Sequence, residues 1–213
     1  YNLMGPKFSI SEVCSTSWQR TKTQIWVLAG LLIGMTIISF TLSAFAMPMQ
    51  KSIVGTIVIN LISCIISCIF ALGYMKNIFQ TLDGEEPQFS AYGQQARKII
   101  TYFVANLFMG IIVVFGICLF IIPGIYLALR LQFFTAFIVE EDTGIIESLK
   151  RSWEITRGQG MPLFMLMLAM IGIFILGLIL LGIGIFVAMP LIYVMYGYVF
   201  RKLNAPLQII EEL

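Results

Sequence analysis

The chain has 213 residues, of which 59% are hydrophobic and 11% charged, against roughly 45–50% and about 25% in soluble globular proteins. This composition excludes a soluble domain, because a chain of this length cannot hide so much apolar surface without a bilayer. The net charge of +2 is too small to indicate a nucleic-acid partner.

Six apolar stretches are long enough to cross a membrane, since about 20 residues of helix span the roughly 30 Å hydrocarbon core. They cover residues 25–46, 53–74, 99–122, 123–139, 162–181 and 183–200. Short, nearly uncharged segments join them in pairs. We therefore predict an all-α membrane protein, a single membrane domain over 1–213, with six transmembrane helices in three hairpins.

A short polar segment with a helical pattern precedes each hairpin. In the first, Ser9 and Glu12 form a capping box, and an apolar stripe ends at Trp18. A constant offset of 135 residues aligns this segment with the third, so that the following residues coincide: Ile10 with Ile145, Glu12 with Glu147, Ser17 with Ser152, Trp18 with Trp153, Thr21 with Thr156, and Lys22 with Arg157. The middle copy, 89–98, is degenerate. The pattern predicts three repeated units, 8–79, 88–142 and 143–203, each an amphipathic surface helix plus a transmembrane hairpin.

The basic residues predict the orientation. All Lys and Arg except Lys51 and Arg130 fall on the side that carries the two termini. By the positive-inside rule both termini are cytoplasmic. We expect the surface helices to lie at the cytoplasmic headgroups, and five residues to act as interfacial anchors: Trp18, Trp153, Lys150, Arg151 and Arg157. Pairs at i, i+4, Glu147–Arg151 and Lys150–Glu154, are expected on the wet face.

Arg130 lies within the fourth apolar stretch, where an arginine costs about 2.5–3.5 kcal/mol on insertion scales. We expect its side chain to face the bundle interior, at a depth close to that of Asn60 and Ser39, with Tyr126 one turn away as an aromatic neighbour. Three roles stay open: a structural hydrogen-bonded residue, a side chain that snorkels outward, or a site for a ligand or lipid phosphate.

Catalytic chemistry has few candidates. The chain has no histidine, and no acidic residue lies inside a predicted span. The cluster Glu140-Glu141-Asp142 offers hard oxygen ligands for a cation, but its position favours the end of the fourth span, with Asp142 or Thr143 as N-cap of the next helix. We predict no catalytic residues, no metal site and no cofactor, and hence a protein that is not an enzyme.

From about Gln80 to Leu203 the chain resembles a family of bacterial integral membrane proteins. The residues that carry the resemblance are Leu82-Asp83-Gly84-Glu85, Phe120-Ile121-Ile122-Pro123-Gly124-Ile125, Glu147-Ser148-Leu149-Lys150-Arg151-Ser152-Trp153, Gly158 and Leu163-Phe164. The family has six spans and is related to the membrane domain attached to some glycerophosphodiester phosphodiesterases. The resemblance implies a six-span fold in the bacterial inner membrane and supplies no activity.

Two functions fit these observations. The leading hypothesis is a non-enzymatic, multi-pass inner-membrane protein whose surface helices present a cytoplasmic platform to lipid or to a partner protein. The alternative is a small transporter or lipid-handling protein with a midplane site near Arg130. A cavity that reaches Arg130 favours the alternative, and a closed bundle favours the platform.

Overall fold

The computed structural model describes residues 6–180 and 182–211, with side chains as far as Ala205. Leu181, the last residue of the predicted fifth span, lies outside this part of the chain. All regular elements of the described residues are helical: α1 Ile10–Thr23, α2 Ile25–Met49, α3 Ile53–Leu82, α4 Ser90–Gln95, α5 Ile99–Leu119, α6 Ile121–Leu131, α7 Phe134–Glu141, α8 Ile145–Ile155, α9 Gly160–Ile179 and α10 Ile185–Glu211. A 3₁₀ turn, Ala96–Lys98, joins α4 to α5.

Six stretches of the described helices are long and apolar enough to cross a membrane. They are α2, α3, α4 with α5, α6 with α7, α9, and α10 as far as Ala205. These helices confirm the predicted all-helical, multi-pass class. The third helix is longer than predicted and continues to Leu82, because its last turns are covered by protein: Tyr74, Ile78 and Phe79 are almost fully buried.

Two of the three hairpins close through paired glycines. Gly116 of α5 lies against Gly124 of α6. A Cβ on Gly124 would come within 2.7 Å of the Ile117 backbone nitrogen. Gly177 of α9 lies against Gly184, which is just before α10. A Cβ on Gly184 would come within 2.8 Å of the Gly177 carbonyl oxygen. Small residues allow membrane helices to approach this closely. The α2–α3 hairpin is more open, and only Leu28 and Ala46 of α2 are buried.

Each of the three helices that precede a hairpin packs mainly against a hairpin that it does not lead into. α1 packs mainly against α10, α4 against α3, and α8 against α5, α6 and α7. α4 docks through Tyr92, whose ring covers Gly73 so closely that a Cβ there would overlap it. The Tyr92 hydroxyl also accepts a hydrogen bond from Asn77 Nδ2 at 2.9 Å.

The centre of the core is aromatic. Phe200 of α10 meets the rings of Phe79 and Phe137 edge-on, with centroids 5.6 and 4.9 Å away. Phe133, between α6 and α7, stacks on Tyr196 at 5.0 Å. These contacts join α3, α7 and α10 and fix the position of the interruption between α6 and α7, where Arg130 lies.

Candidate functional site

Arg130 occupies the last turn of α6 and is 5% exposed. The helix ends at Leu131, and α7 begins at Phe134. A cation is favourable at a helix C-terminus, where the carbonyl groups leave a partial negative charge. The predicted interior orientation of Arg130 is thus confirmed, and outward snorkelling is wrong.

Every side-chain nitrogen of Arg130 has a hydrogen-bond partner. Nε donates to Thr156 Oγ1 at 3.1 Å, one terminal nitrogen donates to Tyr126 Oη at 2.9 Å, and the other donates to the Trp153 carbonyl. The guanidinium carbon also lies 3.6 Å from the centroid of a Trp153 ring. The buried charge is therefore compensated by neutral oxygens and an aromatic face.

The interruption between α6 and α7 releases backbone groups that side chains of α8 and α10 satisfy. Ser152 Oγ donates to the Arg130 carbonyl at 2.7 Å and accepts from the Phe133 N–H at 3.1 Å. Tyr196 Oη donates to the Gln132 carbonyl at 2.6 Å. A broken helix is tolerated at membrane depth only where other protein groups satisfy its backbone. Ser152, Thr156 and Tyr196 are thus site residues that sequence reasoning missed, although the matched Ser17/Ser152 and Thr21/Thr156 pairs were a usable signal.

The predicted ligand candidates divide between two places. Tyr126 contacts Arg130, as predicted, whereas Asn60 and Ser39 make no hydrogen bond to it. Both are exposed and line a separate groove between α2 and α3. Arg130 itself lines none of the five principal cavities of the described residues.

The α2–α3 groove has a volume of about 450 Å³. Its polar lining residues are all uncharged: Ser39, Ser43, Gln50, Asn60, Ser63 and Ser67. A second, apolar groove of about 550 Å³ continues from it toward Trp26, and the two share Met35 and Ile66. They form one trough along the least covered hairpin, which we call the α2–α3 trough.

The acidic cluster at the end of α7 is occupied by cations of the protein. Glu140 pairs with Lys76 and Arg201, and Glu141 pairs with Arg151. These ion pairs, rather than a metal, neutralise the carboxylates. They also replace the predicted Glu147–Arg151 pair, because Arg151 turns toward α7 and is 18% exposed.

Asp142 pairs with Lys98 instead of capping α8. Asp142 Oδ1 lies 2.5 Å from Lys98 Nζ, which also donates to the Ile138 and Val139 carbonyls at 3.0 and 3.1 Å. The N-cap prediction for Asp142 or Thr143 is wrong: Asp142 ends α7 with φ 52°, and Gly144 precedes α8. The Lys98 ammonium holds the pKa of Asp142 below its ordinary value.

A second linkage attaches α1 to α10. Ser9 Oγ accepts from the Glu12 N–H at 3.2 Å, so the Ser half of the predicted capping box forms. The Glu12 carboxylate instead contacts Lys202 Nζ at 2.8 Å and accepts from Tyr198 Oη at 2.6 Å. The hydrogen bond from Lys202 lowers the pKa of Glu12.

Several exposed cations near the ends of α1 and α8 have no ion pair among the described residues. They are Arg20, Lys22, Lys150 and Arg157. The predicted Lys150–Glu154 pair does not form. Trp18 is 44% exposed beside the first two, whereas Trp153 is half-buried beneath Arg130.

Comparison with known proteins gives one match. No curated protein and no solved structure matches the chain. Residues 90–212 match the family described as a domain of unknown function, DUF7847. A relation to the membrane domain of glycerophosphodiester phosphodiesterases does not follow from this match and stays a prediction. Because the matched residues are more than half of the chain, the protein belongs to the DUF7847 family.

Proposed function

We propose that this protein is a non-enzymatic inner-membrane protein whose surface helices form a cytoplasmic platform for anionic lipid headgroups. The observation that carries the proposal is the pair of exposed cations at the end of α1, Arg20 and Lys22, which have no ion pair among the described residues and no unpaired carboxylate beside them on that helix; on α8 the exposed cations stand beside the equally unpaired Glu147 and Glu154. Asp83, Glu140, Glu141 and Asp142 are held in ion pairs. The exposed cations at the ends of α1 and α8 are left without such partners in the described part of the chain.

The position of these cations favours lipid over other partners. Arg20 and Lys22 lie directly before α2, and Arg157 lies directly before α9. Basic residues next to a transmembrane helix are attracted to anionic headgroups by about 1 kcal/mol each. Trp18, which is 44% exposed on the same helix, is suited to the headgroup layer.

Repetition within the chain supports the same proposal. At the offset of 135, three buried positions of the two segments coincide: Val13 with Ser148, Ser17 with Ser152, and Thr21 with Thr156. Both helices thus dock on a hairpin through a similar face and leave Arg20, Lys22, Lys150 and Arg157 outside, whereas Arg151 of α8 pairs with Glu141. We propose three equivalent units, with α4 as the degenerate copy.

The alternative, transport through a site at Arg130, has less support. Each of the three guanidinium nitrogens already donates to Thr156, Tyr126 or the Trp153 carbonyl, and none of the principal cavities of the described residues is lined by Arg130. A ligand would have to displace these contacts. We therefore assign Arg130 a structural role, in which it attaches α8 to the interruption in the fourth span.

The lipid contact is tested by native mass spectrometry of protein released from bilayers that contain equal amounts of phosphatidylglycerol and phosphatidylcholine. The wild type is expected to retain phosphatidylglycerol preferentially. Replacing Arg20, Lys22, Lys150 and Arg157 together by Gln should reduce that preference at least about five-fold, since about 1 kcal/mol from a single charge already corresponds to that factor. Lys51→Gln, on the opposite side of the membrane, is the matched control. An unchanged preference in the fourfold variant would contradict the proposal and leave a partner protein as the ligand of the platform.

Orientation is tested by thiol labelling of intact cells in a background without the native cysteines. Met49→Cys and Gly182→Cys should react with an impermeant reagent, because both lie in hairpin tips assigned to the outside. Gln88→Cys should react only after the cells are opened. The reverse pattern would remove the cytoplasmic platform.

A further inference from the structure

The outer part of the α2–α3 trough concentrates polar side chains that have no partner. Within the described residues, the side chains of Ser39, Asn60, Ser63 and Ser67 make no hydrogen bond, and all four line the same groove. Serines in membrane helices ordinarily bond the carbonyl four residues earlier, as Ser43 does to Ser39 at 2.9 Å. The four groups are thus free to bind a molecule in the groove.

These groups lie deep in the span. Asn60 is seven residues after Ile53, the first residue of α3, which is about 10 Å at about 1.5 Å per residue. Ser67 is a further seven residues on. An amide at this depth is costly unless something supplies both a donor and an acceptor.

The rest of the trough is apolar. Its lining includes Trp26, Gly30, Gly34 and Phe70, and a Cβ on either glycine would have nothing within 4 Å. These two glycines therefore make no close helix contact within the described chain. The two compartments together offer a polar end toward the outer surface and an apolar end toward the cytoplasmic one.

We propose that the α2–α3 trough binds an uncharged amphiphile with a hydroxyl-bearing head, such as a diacylglycerol. The head lies among Ser39, Asn60, Ser63 and Ser67, where its hydroxyl group donates to and accepts from the free side chains and its ester carbonyls accept from them. The hydrocarbon chain follows the wall at Gly30 and Gly34. The volumes of about 450 and 550 Å³ fall within the range of small-molecule sites.

The absence of charge along the lining decides the class of head. No Lys, Arg, Asp or Glu lines either compartment of the trough. A phosphate would enter this depth without a cation, at a high desolvation cost. Uncharged hydroxyl, ester or amide groups have a lower desolvation cost and can form hydrogen bonds with the serine and asparagine side chains.

The experiment uses the full chain in lipid nanodiscs and a pair of photoactivatable probes with identical chains: a diacylglycerol and a phosphatidylglycerol. The diacylglycerol is expected to label peptides that contain residues 35–47 or 59–67, and the phosphatidylglycerol to label them at least about five-fold less. Asn60→Leu should reduce diacylglycerol labelling by about five-fold, the value of one hydrogen bond. Thr41→Val is the matched control, because Thr41 is exposed on α2 outside the groove and bonds the Ile37 carbonyl at 2.9 Å.

Three outcomes would overturn the proposal. Equal labelling by the two probes would show only acyl chains in an open cleft. Labelling that persists in Asn60→Leu would remove the polar recognition. Efficient disulfide formation between two Ser63→Cys copies, in a background without native cysteines, would place a second copy of the chain in the trough.

Discussion

Helices α1 and α8 bury a similar face but pack against helices of different kinds. Each buries a serine and, one turn later, a threonine whose hydroxyl donates to the carbonyl of that serine at 2.7 Å. α8 meets the interruption between α6 and α7, and Ser152 there bonds both a carbonyl and an N–H. α1 meets α10, which runs without interruption from Ile185 to Glu211, and the Ser17 hydroxyl is buried with no hydrogen-bond partner among the described residues.

The difference shows that the helix against which α1 or α8 packs determines whether a buried serine hydroxyl finds a hydrogen-bond partner. An intact helix pairs its own backbone groups and offers none to a neighbour, whereas a broken helix needs outside partners. The two tryptophans differ in the same way: the Arg130 guanidinium lies over the Trp153 ring, whereas Trp18 is 44% exposed and forms no cation–π contact with the part of the chain that the structure describes. Thus the buried hydroxyl of α8 contributes hydrogen bonds to the interruption between α6 and α7, whereas the polar contacts of α1 with α10 come from Glu12 at the edge of the interface.

The largest effect in this comparison is expected from Arg130→Leu. The change removes three hydrogen bonds and leaves the buried Trp153 carbonyl and Thr156 without their cation, so the free energy of unfolding should fall by about 2–4 kcal/mol. Arg157→Leu, at an exposed position with no ion pair, should change it by less than about 0.5 kcal/mol. Denaturant unfolding in micelles measures both, and equal losses would contradict the structural role of Arg130.

A smaller but sharper contrast is expected from the two serines. Ser152→Ala should reduce the free energy of unfolding by about 1–3 kcal/mol, because the Phe133 N–H and the Arg130 carbonyl both lose a partner. Ser17→Ala should be neutral or slightly stabilising, since the hydroxyl it removes has no partner to lose. The same measurement of the free energy of unfolding tests both variants. A greater loss of stability in Ser17→Ala than in Ser152→Ala would contradict this prediction.

The smallest effect is a dependence on pH confined to α1. Because the folded pKa of Glu12 is lowered by Lys202, its contribution is present above the unfolded value of about 4.3 and is lost as the pH falls through the lowered folded value. The difference in Tm between wild type and Glu12→Gln should therefore be visible at about pH 7 and smaller at about pH 3.

Glu147 is the matched control, because it aligns with Glu12 and has no ion pair among the described residues. Glu147→Gln should leave Tm unchanged at both values of pH. A Glu12→Gln effect that is independent of pH would exclude the ionic linkage to α10.

The features predicted correctly are those that local sequence determines. Long apolar runs force transmembrane helices, and the stripe that ends at Trp18 forces α1. The interruption at 132–133 was not predictable in this way, because neither Gln132 nor Phe133 breaks a helix by itself. It is fixed by Ser152 and Tyr196, which come from distant parts of the chain.

The site was predicted in part for the same reason. The count of residues along each span placed Asn60 and Arg130 at similar depths, but depth does not determine which side of a helix faces which neighbour. Arg130 turns toward α8, and Asn60 turns into the α2–α3 trough. The trough itself left no sequence signal, because it results from an incomplete contact between two apolar helices.

The contact between α1 and α10 has a consequence for biosynthesis. α1 leaves the ribosome first, but its main docking surface is completed last, when α10 has been made. At about 5–20 residues per second, the segment between Thr23 and Ile185 takes roughly 8–30 s to translate. During that interval the apolar stripe of α1 must rest on the membrane surface. Docking of α1 on α10 therefore cannot occur before α10 has been made, and a nascent chain stalled before α10 would present α1 undocked to quality-control proteases.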